Sequence, residues 1–188
     1  MPSKIPDRWL DYKPCGQVIE GTRIICFKVP LKTYVGPHSS AKWTVKSLLQ
    51  AIPDLSAVID LTNTCRYYNP KDLMSAGVRH KKILMEGRVV PSEKKVIEFM
   101  KAMDRYLESD EYSLVGVHCT HGLNRTGYMV CRYMRDRLGI PAREAIKRFE
   151  TARGYRMERQ NLIGHLLNYP QTVATVIDRR RRCYKQKF

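Results

Sequence analysis

The chain has 188 residues, enough for one domain with its own core and too few for two full ones. Hydrophobic residues make up 43% and charged residues 28%, a balance that excludes a disordered chain; with no apolar run of membrane-spanning length and no secretory-type run in "MPSKIPDRWLDYKP", an intracellular protein is expected. Thirty-four Lys and Arg against 18 Asp and Glu leave a formal charge of +16, which attracts polyanions (nucleic acid, anionic membrane, acidic protein) or serves solubility alone.

Residues 1–21, rich in Pro, Gly and Asp, read as an N-terminal arm packed on the domain, with Trp9 and Tyr12 as anchors. Strands are predicted at 22–30 and 56–62, where β-branched runs close on turn residues, and a loop at 34–43 leads into a short helix at 44–52. The loop 63–72 precedes a strand over 78–86, and a helix follows from Ser92 to Leu107 with Val96, Met100, Met103 and Leu107 on one stripe. Residues 112–119, "YSLVGVHC", are apolar enough for a central strand covered on both faces. Helices are predicted at Thr126–Leu138, at Pro141–Thr151 with Gly154 past the end, and from Glu158 onward. Alternating strands and helices predict an α/β fold, a central mostly parallel sheet flanked by helices. The catalytic domain is expected over 22–170, followed by a basic C-terminal tail, 171–188.

Six cysteines stand at 15, 26, 65, 119, 131 and 183 without a Cys-x-x-Cys pair, a spacing of reduced thiols. Cys119 differs from the others in its neighbours. It lies in "VHCTHGLNRTGYMV" (117–130), where a strand ends, a tight loop turns, and a helix begins. Amides converge there on a positive helix N-terminus, Gly122 permits the turn, and Arg125 offers a planar fork of donors, so a phosphate is the expected guest. The same field lowers a thiol from ~8.5 by several units, making Cys119 a nucleophile aimed at phosphorus. Thr126 can donate its hydroxyl to the departing sulfur, while Arg125 and the amides of Thr120, His121, Gly122, Leu123 and Asn124 hold the oxygens. His118 reads as a buried residue positioning the loop, and His121 as either a substrate contact or a surface histidine. No metal or other cofactor is expected, because His118 and Cys119 are adjacent on a strand end, point opposite ways, and meet no second ligand cluster.

"HCTHGLNRT" carries the His-Cys-x5-Arg-Ser/Thr signature, and through it the chain resembles the cysteine-dependent phosphatases, the protein tyrosine and dual-specificity superfamily. The strings "IDLTNTCRYYNPKDL" and "IPDRWLDYKPCGQVIEGTRIICFKVPL" narrow the likeness to its RNA 5′-triphosphatase branch, which includes the RNA/RNP-complex-interacting phosphatases and the triphosphatase domain of the metazoan mRNA capping enzyme. That resemblance covers about residues 5–168 and implies metal-independent hydrolysis of RNA 5′-triphosphate and diphosphate ends to the monophosphate, through a cysteinyl-phosphate. It also implies partners in RNA or ribonucleoprotein processing, no membrane partner, and a nuclear or cytoplasmic site of action.

Protein phosphatases of the superfamily protonate their leaving group with an Asp some thirty residues before the cysteine, yet "MEGRVVPSEKK" (85–95) has none. Glu86 and Glu93 are the available carboxyls. Arg66, Arg153, Arg156 and Arg159 fall in the corners where the family approaches its substrate, with solvated surface as the alternative for each. Tyr67, Tyr68 and Tyr155 either stack on a base or pack. The tail "RRRRCYKQKF" reads as a nuclear address or an RNA grip. A dual-specificity protein phosphatase acting on phosphotyrosine, phosphoserine or phosphothreonine is the second reading, and an RNA-binding scaffold the third.

Overall fold

The computed structural model describes residues 5–32 and 43–168. The expectations for residues 1–4, for the loop 34–42 and for the tail 171–188 lie outside the described residues. Among the described residues five strands, β1 (Cys15–Val18), β2 (Ile24–Lys28), β3 (Leu55–Asp60), β4 (Arg79–Lys82) and β5 (Leu114–Cys119), form one sheet in the order β1-β2-β5-β3-β4. β2, β5, β3 and β4 run parallel, and β1 joins β2 antiparallel. The helices are α1 (Val45–Ala51), α2 (Pro70–Met74), α3 (Glu93–Glu108), α4 (Asn124–Leu138), α5 (Ala142–Arg153) and α6 (Gln160–Asn168). This is the expected α/β architecture of a mostly parallel sheet between helices.

Strand periodicity sorts the two cores. Ile24, Cys26, Val115 and Val117 face a cluster built by α3, α4, α5 and α6, with Phe99, Met103, Tyr128 and Phe149 at its centre. Ile25, Phe27 and Val58 face Trp9, Trp43, Leu48 and Leu73 on the other side. The central strand β5 is covered on both faces, as its apolar run requires.

Several boundaries differ from the sequence expectation. Part of the predicted arm is an edge strand, β1, whose pairing with β2 shifts register between Cys15 and Val18. The predicted loop 63–72 contains the start of α2, where Asn69 caps the amide of Lys71 and Pro70 opens the helix. β4 is four residues, because its partner β3 ends at Asp60 opposite Lys82. Ser92 occupies the N-cap of α3 without a side-chain bond, and Pro141 is the N-cap of α5 and not its first residue.

Candidate active site

β5 ends at Cys119 and α4 begins at Asn124, so residues 120–123 make the whole turn. Gly122 adopts φ +68, and a Cβ there would run into the Phe27 carbonyl group, so both handedness and space demand glycine. Thr120 O accepts from Val29 N at 3.2 Å and His118 O from Leu61 N at 2.8 Å, tying both ends of the turn to neighbouring strands. Leu123 caps α4 with no side-chain bond, which leaves first-turn amides for another acceptor.

That acceptor is the Cys119 sulfur, 3% exposed. Burial pushes the thiol up, but the Arg125 guanidinium, the Thr126 hydroxyl and the N–H groups of Thr126 and Leu123 together outweigh it, and the net pKa lies below the usual thiol value. Thr126 Oγ1 is buried with no other hydrogen-bond partner among the described residues. Arg125 Nη1 donates to Met85 O at 2.8 Å and Leu61 O at 3.2 Å, and Nη2 to Thr120 Oγ1 at 2.9 Å. A guanidinium has five N–H groups; those not used in these bonds remain for an anion above the loop.

Behind the cysteine lies a buried polar network absent from the sequence expectations. The Tyr68 hydroxyl meets His118 Nε2 at 2.9 Å, His80 Nε2 at 3.1 Å and Asp60 Oδ2 at 3.2 Å. It has one proton for three neighbours, and the carboxylate can only accept, so Tyr68 donates to Asp60 and both histidines present Nε2–H to its oxygen. Asp60 is further held by Thr62 and by Lys82 Nζ at 2.9 Å. Burial raises its pKa, while His118 and Lys82 lower it further, leaving it below the carboxylate norm. His118 is fully buried and pushed down to about 4, chiefly by desolvation against the pull of Asp60. The neutral ring with Nε2–H leaves Nδ1 bare, and its 3.3 Å approach to Cys119 O becomes a hydrogen bond only on protonation. The one cue in the sequence was a strand-end Asp followed at i+2 by Thr, an Asx turn.

The outer half of the loop is braced from the opposite side. Arg153, expected at the substrate, is 1% exposed and reaches His121 O at 3.0 Å, Gly122 O at 3.3 Å and Lys13 O at 2.9 Å. Its guanidinium therefore pins the loop and the N-terminal arm from beneath, buried away from the surface where a substrate was expected. The arm is held in turn by Lys28, 3% exposed, whose Nζ donates to Trp9 O at 2.9 Å and Tyr12 O at 2.6 Å and lies 3.7 Å from the Trp9 ring centroid. Burial, reinforced by Arg153, brings Lys28 down to about 8. His121 is half-buried, with Nε2 2.7 Å from Asp7 O and its ring 5.2 Å from that of Tyr12. The Asn124 side chain accepts from the amides of Glu158 and Arg159 at 2.8 and 2.9 Å, which sets Arg159 beside the loop.

Arg66 is exposed after β3, with its guanidinium 5.0 Å from the Tyr67 ring. Arg156 is exposed beyond α5. Tyr67 and Tyr68 are buried and pack. Of the two carboxyls near the loop 83–92, Glu93 forms a bidentate pair with Arg132 at 2.9 and 3.1 Å, and Glu86 is exposed next to Met85. Arg125 to Met85 O and Asn161 to Arg88 O, both at closed distances of 2.8 and 2.9 Å, fasten this loop. Among the described residues no three His, Cys, Asp or Glu side chains gather as a metal site, and no helix is long and apolar enough to cross a membrane.

A thiol held toward its anionic form beneath a turn of amides, with an arginine fork at the rim and a parallel sheet behind, defines an anion site with a nucleophile built into its floor. Residues 34–172 match the model of the dual specificity phosphatase catalytic domain, and the chain belongs to that family of phosphatases. The putative tyrosine-protein phosphatase 1 of Orgyia pseudotsugata multicapsid polyhedrosis virus is 49% identical over 165 residues, 86% of this chain and 75% of that protein. The tyrosine-protein phosphatase of Autographa californica nuclear polyhedrosis virus is 46% identical over 165 residues, covering 86% and 98%. The human RNA/RNP complex-1-interacting phosphatase is 43% identical over 174 residues; these are 88% of this chain but 52% of that protein, so the chain spans about half of its length. Among solved structures, the active form of Tk-PTP has the same fold, with a TM-score of 0.65 at 20% identity over 84% of this chain and 99% of that one.

Proposed function

We propose that this phosphatase removes the terminal phosphates of RNA 5′-triphosphate and 5′-diphosphate ends, leaving the monophosphate. The Cys119 thiolate attacks the terminal phosphorus, a P–S bond forms, and the bridging P–O bond breaks with its electron pair on the departing RNA phosphate. Arg125 and the amides of residues 120–125 bind the equatorial oxygens during this transfer. Water then attacks phosphorus and the sulfur leaves, its returning charge met by the Thr126 hydroxyl, releasing inorganic phosphate. His118 positions the cysteine through the Tyr68–Asp60 network.

The observation that carries the reading is the leaving-group side of the site. The loop 83–92 has no aspartate, Glu93 is committed to Arg132, and Glu86, the remaining carboxyl there, is turned to solvent beside Met85. An alcohol or phenol expelled without a general acid would cost ~10²- to 10⁴-fold in rate. A phosphate leaving group, with its second pKa about 6, is a stable anion without one. The RNA/RNP complex-1-interacting phosphatases among the relatives and the +16 charge support the same substrate, as well as partners in ribonucleoprotein or RNA processing and a nuclear location.

The second reading, a protein phosphatase, is favoured by the names of the two viral relatives. Phosphate release from a 5′-triphosphate RNA and from a phosphotyrosine peptide, both in EDTA, separates the two. Faster turnover of RNA is expected; a strong preference for the peptide overturns the substrate, and loss of activity in EDTA overturns the thiolate mechanism. Cys119→Ser is expected to abolish release while keeping RNA affinity.

A further inference from the structure

α5 and the turn after it border a shallow, open groove of about 540 Å³. Arg143, Lys147 and Arg156 line it together with Tyr155, Thr151 and Glu150. Arg143 and Lys147 are four residues apart and so project from one face of α5. Neither they nor Arg156 forms a salt bridge among the described residues. The single carboxylate in the lining, Glu150, accepts from Met157 N at 2.9 Å and is turned to the task of closing the chain after α5. Across the helix the arrangement is different, since Arg148 is paired with Glu144 at 2.8 Å. Three cations that form no salt bridge among the described residues, one of them (Lys147) near enough to Glu144 to lower its pKa, therefore share one open surface.

Packed rings, with buried Tyr12 in the middle, tie the edge of this groove to the candidate active site. His121 in the loop lies 5.2 Å from Tyr12, and Tyr12 lies 5.2 Å from Tyr155 at the groove's edge. Arg153, which grips the loop carbonyls, sits 5.3 Å from the Tyr155 ring, and the Tyr155 hydroxyl accepts from Lys13 N at 2.8 Å. Tyr155 is thus fixed in place and only half-buried.

We infer that the α5 groove is a track for the RNA strand downstream of its 5′ end, with Arg143, Lys147 and Arg156 on successive phosphates and Tyr155 as a base platform. The inference rests on the proposed RNA substrate and adds where the rest of that RNA lies. Phosphate contacts of this kind hold a strand without reading its sequence and release counterions when they form, so they appear as salt dependence. Charged side chains on a helix often do no more than solvate it; the track differs from that in making substrate length matter.

The test compares Arg143→Glu/Lys147→Glu with Lys101→Glu/Arg105→Glu, an equal charge change on the exposed face of α3. Turnover is measured on a 5′-triphosphate RNA 20-mer and on a nucleoside triphosphate. Binding of a 5′-monophosphate 20-mer to the same pairs in a Cys119→Ser background is followed across salt concentrations. The α5 pair is expected to lose at least tenfold in kcat/KM on the 20-mer with the nucleoside triphosphate unchanged. Its slope of log affinity against log salt should become shallower by about 1.4, for two contacts at ~0.7 each on single strands. The α3 pair should change neither by more than twofold. Equal losses in both pairs would assign the effect to overall charge and overturn the track, as would unchanged binding in the α5 pair. A parent enzyme that fails to hydrolyse either triphosphate while the α5 pair still loses RNA binding would overturn the proposed substrate and leave the track standing.

Discussion

Replacing Arg153 by Met removes a guanidinium and keeps much of the stem's bulk. In the wild-type structure that group satisfies three carbonyl oxygens, those of Lys13, His121 and Gly122. A buried acceptor left unpaired costs ~1–3 kcal/mol, against which the variant escapes several kcal/mol of guanidinium desolvation. A net loss on the order of 3 kcal/mol follows, about 6–12 °C in Tm at ~2–4 °C per kcal/mol for a chain of this size. Catalysis should suffer more than stability, because two of the three carbonyls belong to the phosphate loop and a shift of ~1 Å in a positioning element costs ~10²-fold. Thermal melts, steady-state kinetics and the pH dependence of iodoacetate alkylation of Cys119 read the three consequences. The expected pattern is a lowered Tm, a kcat reduced 10- to 100-fold with KM little changed, and a thiol pKa moved toward its ordinary value, with Arg153→Lys in between. A variant with unchanged Tm and kcat but a tenfold higher KM would mean that Arg153 reaches the substrate, and the bracing argument would be wrong.

Three further outcomes follow from other parts of the site. His118 is depressed to about 4 from 6.5, so the stability it contributes is complete above 6.5 and lost as pH falls through 4; the difference is on the order of 3 kcal/mol, and urea midpoints of His118→Asn against the parent between pH 7 and 4 should converge. Glu93→Gln should lower stability by about 1–2 kcal/mol, because Arg132 is 2% exposed and keeps Asp136 as its remaining charged partner, while the alkaline limb of the pH–rate profile stays in place; loss of that limb would make Glu93 the acid. Gly122→Ala must accommodate a Cβ against the backbone of Phe27 at a left-handed φ, so activity on any phosphate substrate should fall at least 100-fold even where a melt shows the protein folded.

What could be read from the sequence was whatever depends on neighbours a few residues apart. Strand, turn and helix N-terminus around Cys119 are contiguous, and glycine with arginine at fixed offsets narrows the conformations available. Arg153 was misplaced because an arginine on a helix end is usually solvated, and only the tertiary fold brings three backbone carbonyls to it from segments about 30 and 140 residues away. The Tyr68 hub was invisible for the same reason: Asp60, Tyr68, His80 and His118 come from β3, the loop after it, β4 and β5. Helix α2 carries its own local signal, since Asn69 followed by Pro70 is a cap and a first-turn proline. Strand β1 carries none, because "CGQV" gains its conformation by pairing with β2.

The two borders of the sheet also bear on how copies of the protein meet. A parallel sheet exposes rows of unpaired amides and carbonyls at each margin, an invitation to add strands from another molecule. Here one margin is β1, short and shifted in register against β2, and the other is β4, four residues long and spelled Arg-His-Lys-Lys. Along β4, Lys81 and Lys82 are already paired with Glu98 and Asp60, so its shortness and not a row of free charges limits edge-to-edge pairing. The shortness of both margins thereby keeps the sheet finite, whatever the charge around it.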